Sequence, residues 1–470
     1  MEDARGHTLA SRLDRLPVSR WHGYLMTICC LGLLFDCYDI TILAVVLPML
    51  VPLWKITPVQ IGMLASGGFM GMLAGALLFG VLADIIGRWK VFQITLLIYA
   101  LLTGACALAG GFASLFMLRI AVGLGLGGLV PVDLAYLVEY IPSKYRGRFL
   151  GWFNAFSPLG NASAMFVGAL LVSLAASWRW GFILGIIPAF FLIIVRRGLP
   201  ESVRYLVHKD RIPEAVQIVE GFEQRVLEKV TVPRKEAVER EKLMRSMSTE
   251  AKVRIPDLFK GGLARSTITV CTLWFCVNYV LYGLAPWLPI LLMKELHYAM
   301  AKGFIFLAVA NLIGMTGQFS AGLNMDYLGR RPTVVYSVIL LGLVPYFLFW
   351  LGTTPSLGIV FLIVLYIFNS SSFASIYAYT PEVFPTRVRA TGTGFASAIG
   401  RGGAMLGPTI LGIVYAKAGL IWALSINMAV LVCAAIVVLA VGRETKGKTL
   451  EQISVEQMEL RQVREEEATI

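Results

Sequence analysis

The sequence predicts an all-α membrane protein whose twelve transmembrane helices form two six-helix bundles. Apolar residues make up 57% of its 470 residues and charged residues only 15%, a balance that soluble domains do not show. Twelve apolar windows of about 20 residues follow one another along the chain, each long enough to cross about 30 Å of hydrocarbon as a helix. Two polar motifs each occur twice, at nearly equal separations, so the second half of the chain repeats the first.

The twelve windows define the predicted transmembrane helices in order. They lie at 22–48, 60–82, 91–111, 115–139, 149–175, 178–195, 266–292, 303–325, 333–352, 356–379, 391–415 and 419–441. The first twenty residues are polar and lack a small-residue cleavage site, which argues against a cleavable signal peptide. We therefore expect the first helix to serve as its own signal.

The basic residues are distributed unequally about the predicted helices. With a cytoplasmic N-terminus, 34 of the 41 lysines and arginines lie in the N-terminal region, the even-numbered turns and the C-terminal region. The other seven are Lys55, Arg119, Arg179, Lys294, Lys302, Arg401 and Lys417. The positive-inside rule then predicts a multi-pass protein of the cell (inner) membrane with both termini in the cytoplasm. The net charge of +12 is thereby explained, and we expect no nucleic-acid partner.

Two motifs establish the internal repeat. The pattern G-x-x-x-D-x-x-G-R begins at Gly80 and again at Gly322, 242 residues later. The pattern E-x-x-P-x-x-x-R begins at Glu139 and again at Glu382, 243 residues later. Because the two offsets agree, they indicate two six-helix halves in parallel repeat.

The repeat sets the predicted domain boundaries. We expect an N-terminal six-helix bundle at 1–196, a C-terminal bundle at 264–443 and a cytoplasmic tail at 444–470. The polar stretch at 197–263 contains helix-like patches and is predicted to be a cytoplasmic loop with short helices.

The six-plus-six plan and the paired motifs resemble the major facilitator superfamily over the whole chain. In that superfamily the acid and the base of these motifs lie in cytoplasmic turns and bridge helix ends in the outward-open state. The resemblance therefore implies that eight residues act in gating and do not bind substrate. They are Asp84, Arg88, Glu139, Arg146, Asp326, Arg330, Glu382 and Arg389.

Further motifs resemble particular branches of the superfamily. PESVRYL at 200–206, RIAVGLGLGG at 119–128 and ETKGKTLEQI at 444–453 are similar to signatures of the sugar-porter-like group. DCYD at 36–39 is instead similar to the D-G-x-D of aromatic-acid/proton symporters, with cysteine replacing glycine. GGLVPVDLAYLVEY in the fourth helix and GRGGAMLGP in the eleventh resemble bacterial niacin transporters related to synaptic-vesicle-2-like proteins.

Two acids, Asp36 and Asp39, lie near the middle of the first predicted helix. Their i, i+3 spacing puts them on one helix face. Two carboxylates so close in a low-dielectric surrounding cannot both ionise cheaply, so the pair is a candidate proton carrier. The alternative is that one acid bonds a neighbouring backbone group while the other pairs with a base. Asp133 in the fourth helix is a further proton-coupling candidate, or it positions Arg119 or Arg146.

Arg401 lies twelve residues past Arg389, about 18 Å into the membrane at about 1.5 Å per residue. Its guanidinium keeps its charge and presents a planar fork that matches a carboxylate. The resemblance to the aromatic-acid and niacin branches implies that an arginine here binds the carboxylate of the substrate. A salt bridge to Asp133 or to the two first-helix acids is the competing interpretation.

Aromatic and amide residues complete the candidate substrate site. The resemblance implies that helices one, four, seven and ten line the cavity, where such side chains stack on a small ring or hydrogen-bond to it. The candidates are Tyr38, Trp274, Asn278, Tyr279, Asn311, Gln318, Asn369 and Tyr377. For any single one of them, helix packing is the competing interpretation.

Together these features predict a proton-coupled importer of a small organic anion, an aromatic monocarboxylate such as nicotinate. We expect it to work by alternating access, as a monomer among membrane lipids. The alternatives are a facilitator or proton symporter of a sugar or other neutral solute, and a non-transporting membrane receptor. No Walker loop, haem ligand set or catalytic triad occurs at usable spacing, and the seven cysteines show no metal-ligand pattern. We therefore expect no enzyme, no cofactor and no metal.

Overall fold

The computed structural model describes residues 9–187, 200–227, 238, 255–260, 263–351, 354–385 and 388–446. Within these ranges the chain is almost entirely helical and contains no strand. The helices are, in order, α1 (Leu9–Asp14), α2 (Arg20–Trp54), α3 (Pro58–Ile86), α4 (Arg88–Cys106), α5 (Phe112–Tyr140), α6 (Ser143–Ser173), α7 (Arg179–Leu184), α8 (Val203–His208), α9 (Ile212–Leu227), α10 (Leu263–Leu284), α11 (Leu288–Lys294), α12 (Met300–Gly314), α13 (Thr316–Tyr327), α14 (Arg330–Leu351), α15 (Pro355–Glu382), α16 (Arg389–Ala418) and α17 (Leu420–Val441). A 3-10 helix covers Ile255–Phe259.

Ten spans in the described part of the chain are helical, long and apolar enough to cross a membrane. They correspond to ten of the twelve predicted helices. The predicted eleventh helix is α16, which is 30 residues long and carries Arg401. The predicted sixth helix begins with α7, and its remainder at 188–195 lies outside the described residues. The all-helical membrane architecture predicted from the sequence is confirmed.

Two of the predicted helices are interrupted. The seventh, predicted as one helix over 266–292, is divided into α10 and α11. Pro286 lies in this break, where its missing N–H and its ring oppose continuation of the helix. The eighth, predicted over 303–325, is divided at Met315 into α12 and α13. Apolar windows alone do not detect such breaks, because a window averages hydropathy over about 20 residues and does not report a local interruption of the helix.

Glycines allow several helices to approach one another closely. A Cβ atom at Gly71 of α3 would lie 2.0 Å from the carbonyl oxygen of Ile120 on α5. In the second half, a Cβ atom at Gly403 of α16 would lie 2.2 Å from the carbonyl oxygen of Phe275 on α10. Small residues at such crossings let helix backbones pack where lipid supplies no hydrophobic driving force.

The two halves contact each other toward the end of the bundle opposite the chain termini. The hydroxyl groups of Ser66 on α3 and Thr409 on α16 are 2.7 Å apart. One turn away, a Cβ atom at Gly62 would lie 2.4 Å from the carbonyl oxygen of Pro408. Helices α6 and α12 also pack on each other. These contacts close one side of the space between the halves.

Helix α1 is attached to the inter-bundle helix α9 at the end that carries the termini. Nε and Nη2 of Arg12 donate to the two carboxylate oxygens of Glu223 at 2.8 and 2.6 Å, and both side chains are buried. The rings of Trp21, Tyr140 and Phe222 contact one another beside this pair. The N-terminal helix, the inter-bundle helix and the first half therefore form one packed unit.

We expect Arg12→Ala to lower the thermal stability of the protein. The substitution removes two hydrogen bonds to a buried carboxylate, and breaking a buried pair in this way costs about 3 kcal/mol. The melting temperature in detergent measures the effect. Arg211→Ala is the matched control, because it removes an exposed ion pair with Glu214, and such pairs contribute little. Equal melting temperatures for the two variants would contradict the expectation.

Candidate functional site

Asp39 on α2 is buried and forms an ion pair with Arg119 on α5. Nη1 of Arg119 lies 3.0 Å from Oδ2 of Asp39. The hydroxyl of Thr103 donates to Oδ1 of Asp39 at 2.5 Å, and Nη2 of Arg119 donates to the backbone carbonyl of Asp39 at 3.4 Å. Both carboxylate oxygens are thus hydrogen-bonded, as a buried charge requires.

The sequence prediction did not include Arg119 in the site. The predicted fourth helix begins only four residues before it, which would place Arg119 near the membrane surface. Helix α5 in fact begins at Phe112, so Arg119 lies two turns inside the helix and is 3% exposed. The available sequence signal is a single base within the apolar run FMLRIAV at 116–122.

Asp36 lies one turn before Asp39 in quite different surroundings. Its side chain is buried, and its Oδ1 has no hydrogen-bond partner among the described residues. Its charged neighbours are Asp39 and Arg401, which lie within electrostatic range of it. Asp36 forms no ion pair within the described ranges. The two predicted proton-coupling acids are therefore unlike: one is paired, and one has a free oxygen.

Arg401 extends from α16 toward the first half of the chain. Its Nη1 lies 3.5 Å from the carbonyl oxygen of Met72 on α3. The ionisable side chains close enough to interact with its charge are Tyr377, Asp36 and Tyr282. No carboxylate in the described part of the chain forms an ion pair with it. A guanidinium with this geometry is able to bind an anionic group of a ligand.

Three predicted substrate residues gather beside Arg401. The rings of Trp274 and Tyr377 meet edge-on with their centroids 4.9 Å apart. Nδ2 of Asn278 donates to the carbonyl of Trp274 at 2.7 Å. Both Trp274 and Asn278 lie against Gly400, where a Cβ atom would be 3.0 Å from each. Aromatic edges next to a fixed cation suit a flat anionic ligand.

A cavity of about 110 Å³ lies between the two halves. Its wall is largely apolar and includes Met72, whose carbonyl contacts Arg401. The polar side chains in the wall include Thr41, Arg119, Asn161, Asn311 and Asn369. Asn311 and Asn369 are predicted substrate residues, whereas Thr41 and Arg119 are not. The space admits a few water molecules or a small ligand.

Seven of the nine predicted substrate residues are absent from the cavity wall: Arg401, Trp274, Asn278 and Tyr377, described above, and three more. The hydroxyl of Tyr38 donates to the carbonyl of Gly181 at 2.8 Å, within the first half. Tyr279 is buried beside the α16 backbone, and Gln318 is half-buried on α13. These positions favour helix packing for all three. The side chain of Asp133 lies outside the described residues, so its proton-coupling role stays a prediction.

At the end of the bundle that carries the termini, the repeated motifs form an ion-pair cluster in each half. In the first half, Arg88 Nη1 donates to Glu139 Oε2 at 3.3 Å. In the second half, Arg330 Nε donates to Glu382 Oε2 at 3.1 Å, and its Nη1 donates to Asp326 Oδ1 at 3.4 Å. Each cluster joins helices of the same half, so it fixes helix ends within one bundle.

The remaining predicted gating residues are only partly described. Nε of Arg389 donates to the carbonyls of Pro381 and Phe384 at 3.0 and 3.3 Å, which links the ends of α15 and α16. The side chains of Asp84 and Arg146 lie outside the described residues. The gating roles of all eight residues stay predictions.

Two acids outside the predicted site occupy equivalent positions in the two clusters. Glu201 accepts a hydrogen bond from the backbone N–H of Trp89 at 3.0 Å. Glu444 accepts from the N–H groups of Arg330 and Arg331 at 2.8 and 2.9 Å. Each acid therefore satisfies free N–H groups at the start of a helix, α4 or α14. The PESVRYL and ETKGKTLEQI stretches are the sequence signal for them.

Comparisons with known proteins agree over most of the chain. The family described as "Sugar (and other) transporter" matches residues 25–456. The chain is 34% identical over 448 residues to a niacin transporter, NiaP, of Acinetobacter baylyi, covering 95% of this chain and 100% of that one. It is 30% identical over 410 residues to a benzoate transport protein of the same organism, covering 85% of each. An inward-open structure of the xylose transporter XylE of Escherichia coli has a TM-score of 0.74 at 17% identity, over 93% of this chain and 100% of that one.

The titration of Glu444 gives a pH-dependent prediction. Burial raises the pKa of Glu444, but hydrogen bonds from four backbone N–H groups outweigh it and hold the pKa below its usual value; the donors are Arg330, Lys446, Arg331 and Thr445. Glu444 therefore stabilises the folded protein above the unfolded pKa of about 4.3, and this contribution is lost as the pH falls through the lower folded value. We expect Glu444→Gln to reduce the melting temperature at pH 7 and the deficit to shrink toward pH 4. A deficit independent of pH would contradict this.

Proposed function

Because the chain belongs to the sugar (and other) transporter family of the major facilitator superfamily, we propose that it imports a small organic anion together with protons. It is a multi-pass membrane transporter with the twelve-helix fold of that superfamily, and not an enzyme. The proposed cargo is an aromatic monocarboxylate such as nicotinate. The names of its relatives, a niacin transporter and a benzoate transport protein, support this class of substrate.

The position of Arg401 is the observation that carries the proposal. Its guanidinium lies near the middle of α16 and contacts the carbonyl of Met72, a residue of the cavity wall, without a carboxylate partner in the described chain. A cation within a membrane requires water or an opposite charge. The carboxylate of a substrate would supply two acceptors that match the guanidinium fork, while Trp274 and Tyr377 would contact its ring.

Asp36 and Asp39 are the proposed proton-coupling residues, with Asp133 as a third candidate. Oδ1 of Asp36 has no hydrogen-bond partner among the described residues, so it is available to a proton. Protonation of Asp39 would weaken its attraction to Arg119. Proton binding at Asp36 and anion binding at Arg401 would each neutralise a charge that has no ion-pair partner among the described residues. A cavity with less unpaired charge can close around its cargo.

The transport cycle follows from alternating access. The packing of α3 on α16 and of α6 on α12 closes the space between the halves at the end opposite the termini. Transport requires these contacts to open and the halves to rock about the central site. The repeated clusters at the other end are proposed to act as gates during this motion. We propose that the protein works as a monomer in the inner membrane with both termini in the cytoplasm.

A sugar or another neutral solute is the second candidate substrate. Amides in the cavity wall, among them Asn311 and Asn369, favour it because amides hydrogen-bond to hydroxyl groups as readily as to a ring substituent. The two candidates differ in one respect: only the organic anion requires a carboxylate opposite Arg401.

Uptake by proteoliposomes tests the proposed function. We expect nicotinate to accumulate when an inward pH gradient is imposed and nicotinamide, which lacks the carboxylate, to be rejected. Arg401→Lys should raise the KM for nicotinate about tenfold or more, because a lysine cannot form the two-point contact, and charged hydrogen bonds contribute about 1.5–3 kcal/mol. Arg211→Lys, at an exposed position, is the control. Equal uptake of both compounds, or an unchanged KM in Arg401→Lys, would contradict the proposal.

Asp39→Asn tests the proton coupling separately. Asparagine has nearly the same shape but carries no exchangeable carboxyl proton, so we expect accumulation of nicotinate against its gradient to be abolished. Exchange of internal for external nicotinate should persist. The comparison is uptake with and without an inward pH gradient, with the exposed Asp257→Asn as control. Full accumulation by the Asp39→Asn protein would remove Asp39 from the proton path.

A further inference from the structure

Two polar side chains of the first half meet in the cavity wall. The hydroxyl of Thr41 on α2 donates to Oδ1 of Asn161 on α6 at 2.8 Å, and both residues line the cavity. Asn161 accepts this hydrogen bond at its amide oxygen. Its NH₂ group, which can only donate, makes no hydrogen bond among the described residues and is open to a ligand.

The other amides near the site are held differently. Asn278 donates its own Nδ2 to the carbonyl of Trp274, and Asn311 lines the cavity together with Tyr366. Nδ2 of Asn161 has no protein hydrogen-bond partner in the described part of the chain. A donor in a largely apolar cavity gains most from an acceptor on the ligand, because leaving it unpaired away from water is unfavourable.

We propose that Asn161, oriented by Thr41, donates a hydrogen bond to a ring nitrogen of the substrate and so selects nitrogen-containing aromatic carboxylates over carbocyclic ones. This rests on the proposed function, in which Arg401 binds the carboxylate. The ring nitrogen of a pyridine accepts hydrogen bonds and carries no hydrogen, so it matches an N–H donor. A carbocyclic ring presents a C–H group instead and leaves the donor unpaired, which disfavours binding.

The two proposed contacts come from different halves of the protein. Asn161 belongs to the first half, whereas Arg401 belongs to the second and contacts the carbonyl of Met72, another residue of the cavity wall. A flat ring with a carboxylate on one side and a nitrogen on another would therefore connect the halves. The ring nitrogen would then contribute to closure as well as to affinity.

Competition between two acids of the same charge and nearly the same shape tests the proposal. The full chain in proteoliposomes takes up labelled nicotinate, and unlabelled nicotinate or benzoate competes. Asn161→Ala should weaken inhibition by nicotinate about fivefold to tenfold, the effect of one lost hydrogen bond. It should not weaken inhibition by benzoate, because the substitution also removes the donor that benzoate leaves unpaired. Thr41→Val should shift the preference in the same direction by about threefold, because the amide is no longer held by a hydroxyl.

Asn154→Ala is the matched control. It changes the same residue type on the same helix, but Asn154 donates to the carbonyl of Leu150 in its own helix at 2.9 Å and is absent from the cavity wall. Its preference for nicotinate over benzoate should equal that of the unaltered protein. The nearly isosteric Thr41→Val keeps the test decisive if Asn161→Ala does not fold.

Three outcomes would overturn the proposal. Equal weakening of both acids in Asn161→Ala would mean that the amide contacts the carboxylate or supports the helix. An unaltered protein that does not distinguish nicotinate from benzoate would exclude ring-nitrogen recognition but leave organic-anion transport intact. Uptake of neither acid would overturn the proposed function together with this inference.

Discussion

An ionised side chain in the hydrocarbon of a bilayer must meet an opposite charge, water or a proton. The four central charged side chains of this protein differ in whether the protein itself supplies that partner. Asp39 and Arg119 neutralise each other at 3.0 Å, with Thr103 satisfying the remaining oxygen. Asp36 and Arg401 are left without such partners within the described chain. The first pair is stable on its own, whereas the second two groups are suited to bind what passes between the halves.

Close helix packing determines where these charges lie. Helix α3 packs tightly on α5 at Gly71 and on α16 at Gly62, and α16 packs on α10 at Gly403. Helices α3 and α16 therefore connect the two halves, and α16 carries Arg401. Any rotation of one half against the other would move Arg401 relative to Asp36 on α2. In this arrangement a change of conformation is necessarily a change in the electrostatic surroundings of the central acids.

The fold could be predicted well from the sequence because two of its features are visible in one sequence: the internal repeat and the length of the apolar segments. Neither feature requires knowledge of which residues are in contact. The depth of Arg401 followed from a rise of about 1.5 Å per residue. The partner of Asp39 did not, since it lies 80 residues away and depends on how α2 and α5 are rotated. The same limit applies to Tyr38, whose hydroxyl faces Gly181 in its own half. Which way a side chain points around a helix is decided by packing, and one sequence does not record it.

The internal repeat is preserved at the end of the bundle that carries the termini and is lost at the centre. This difference bears on the mechanism of transport. At the end with the termini, Arg88–Glu139 in the first half and Arg330–Glu382 in the second form the same kind of cluster. At the centre, by contrast, the acids Asp36 and Asp39 are in the first half, and Arg401, which forms no ion pair among the described residues, is in the second. A symmetric frame can exchange equivalent inward and outward arrangements at little cost in free energy. Because the centre is asymmetric, the change between inward and outward arrangements depends on charge. An anion held by the second half and a proton held by the first are both needed to neutralise the central site.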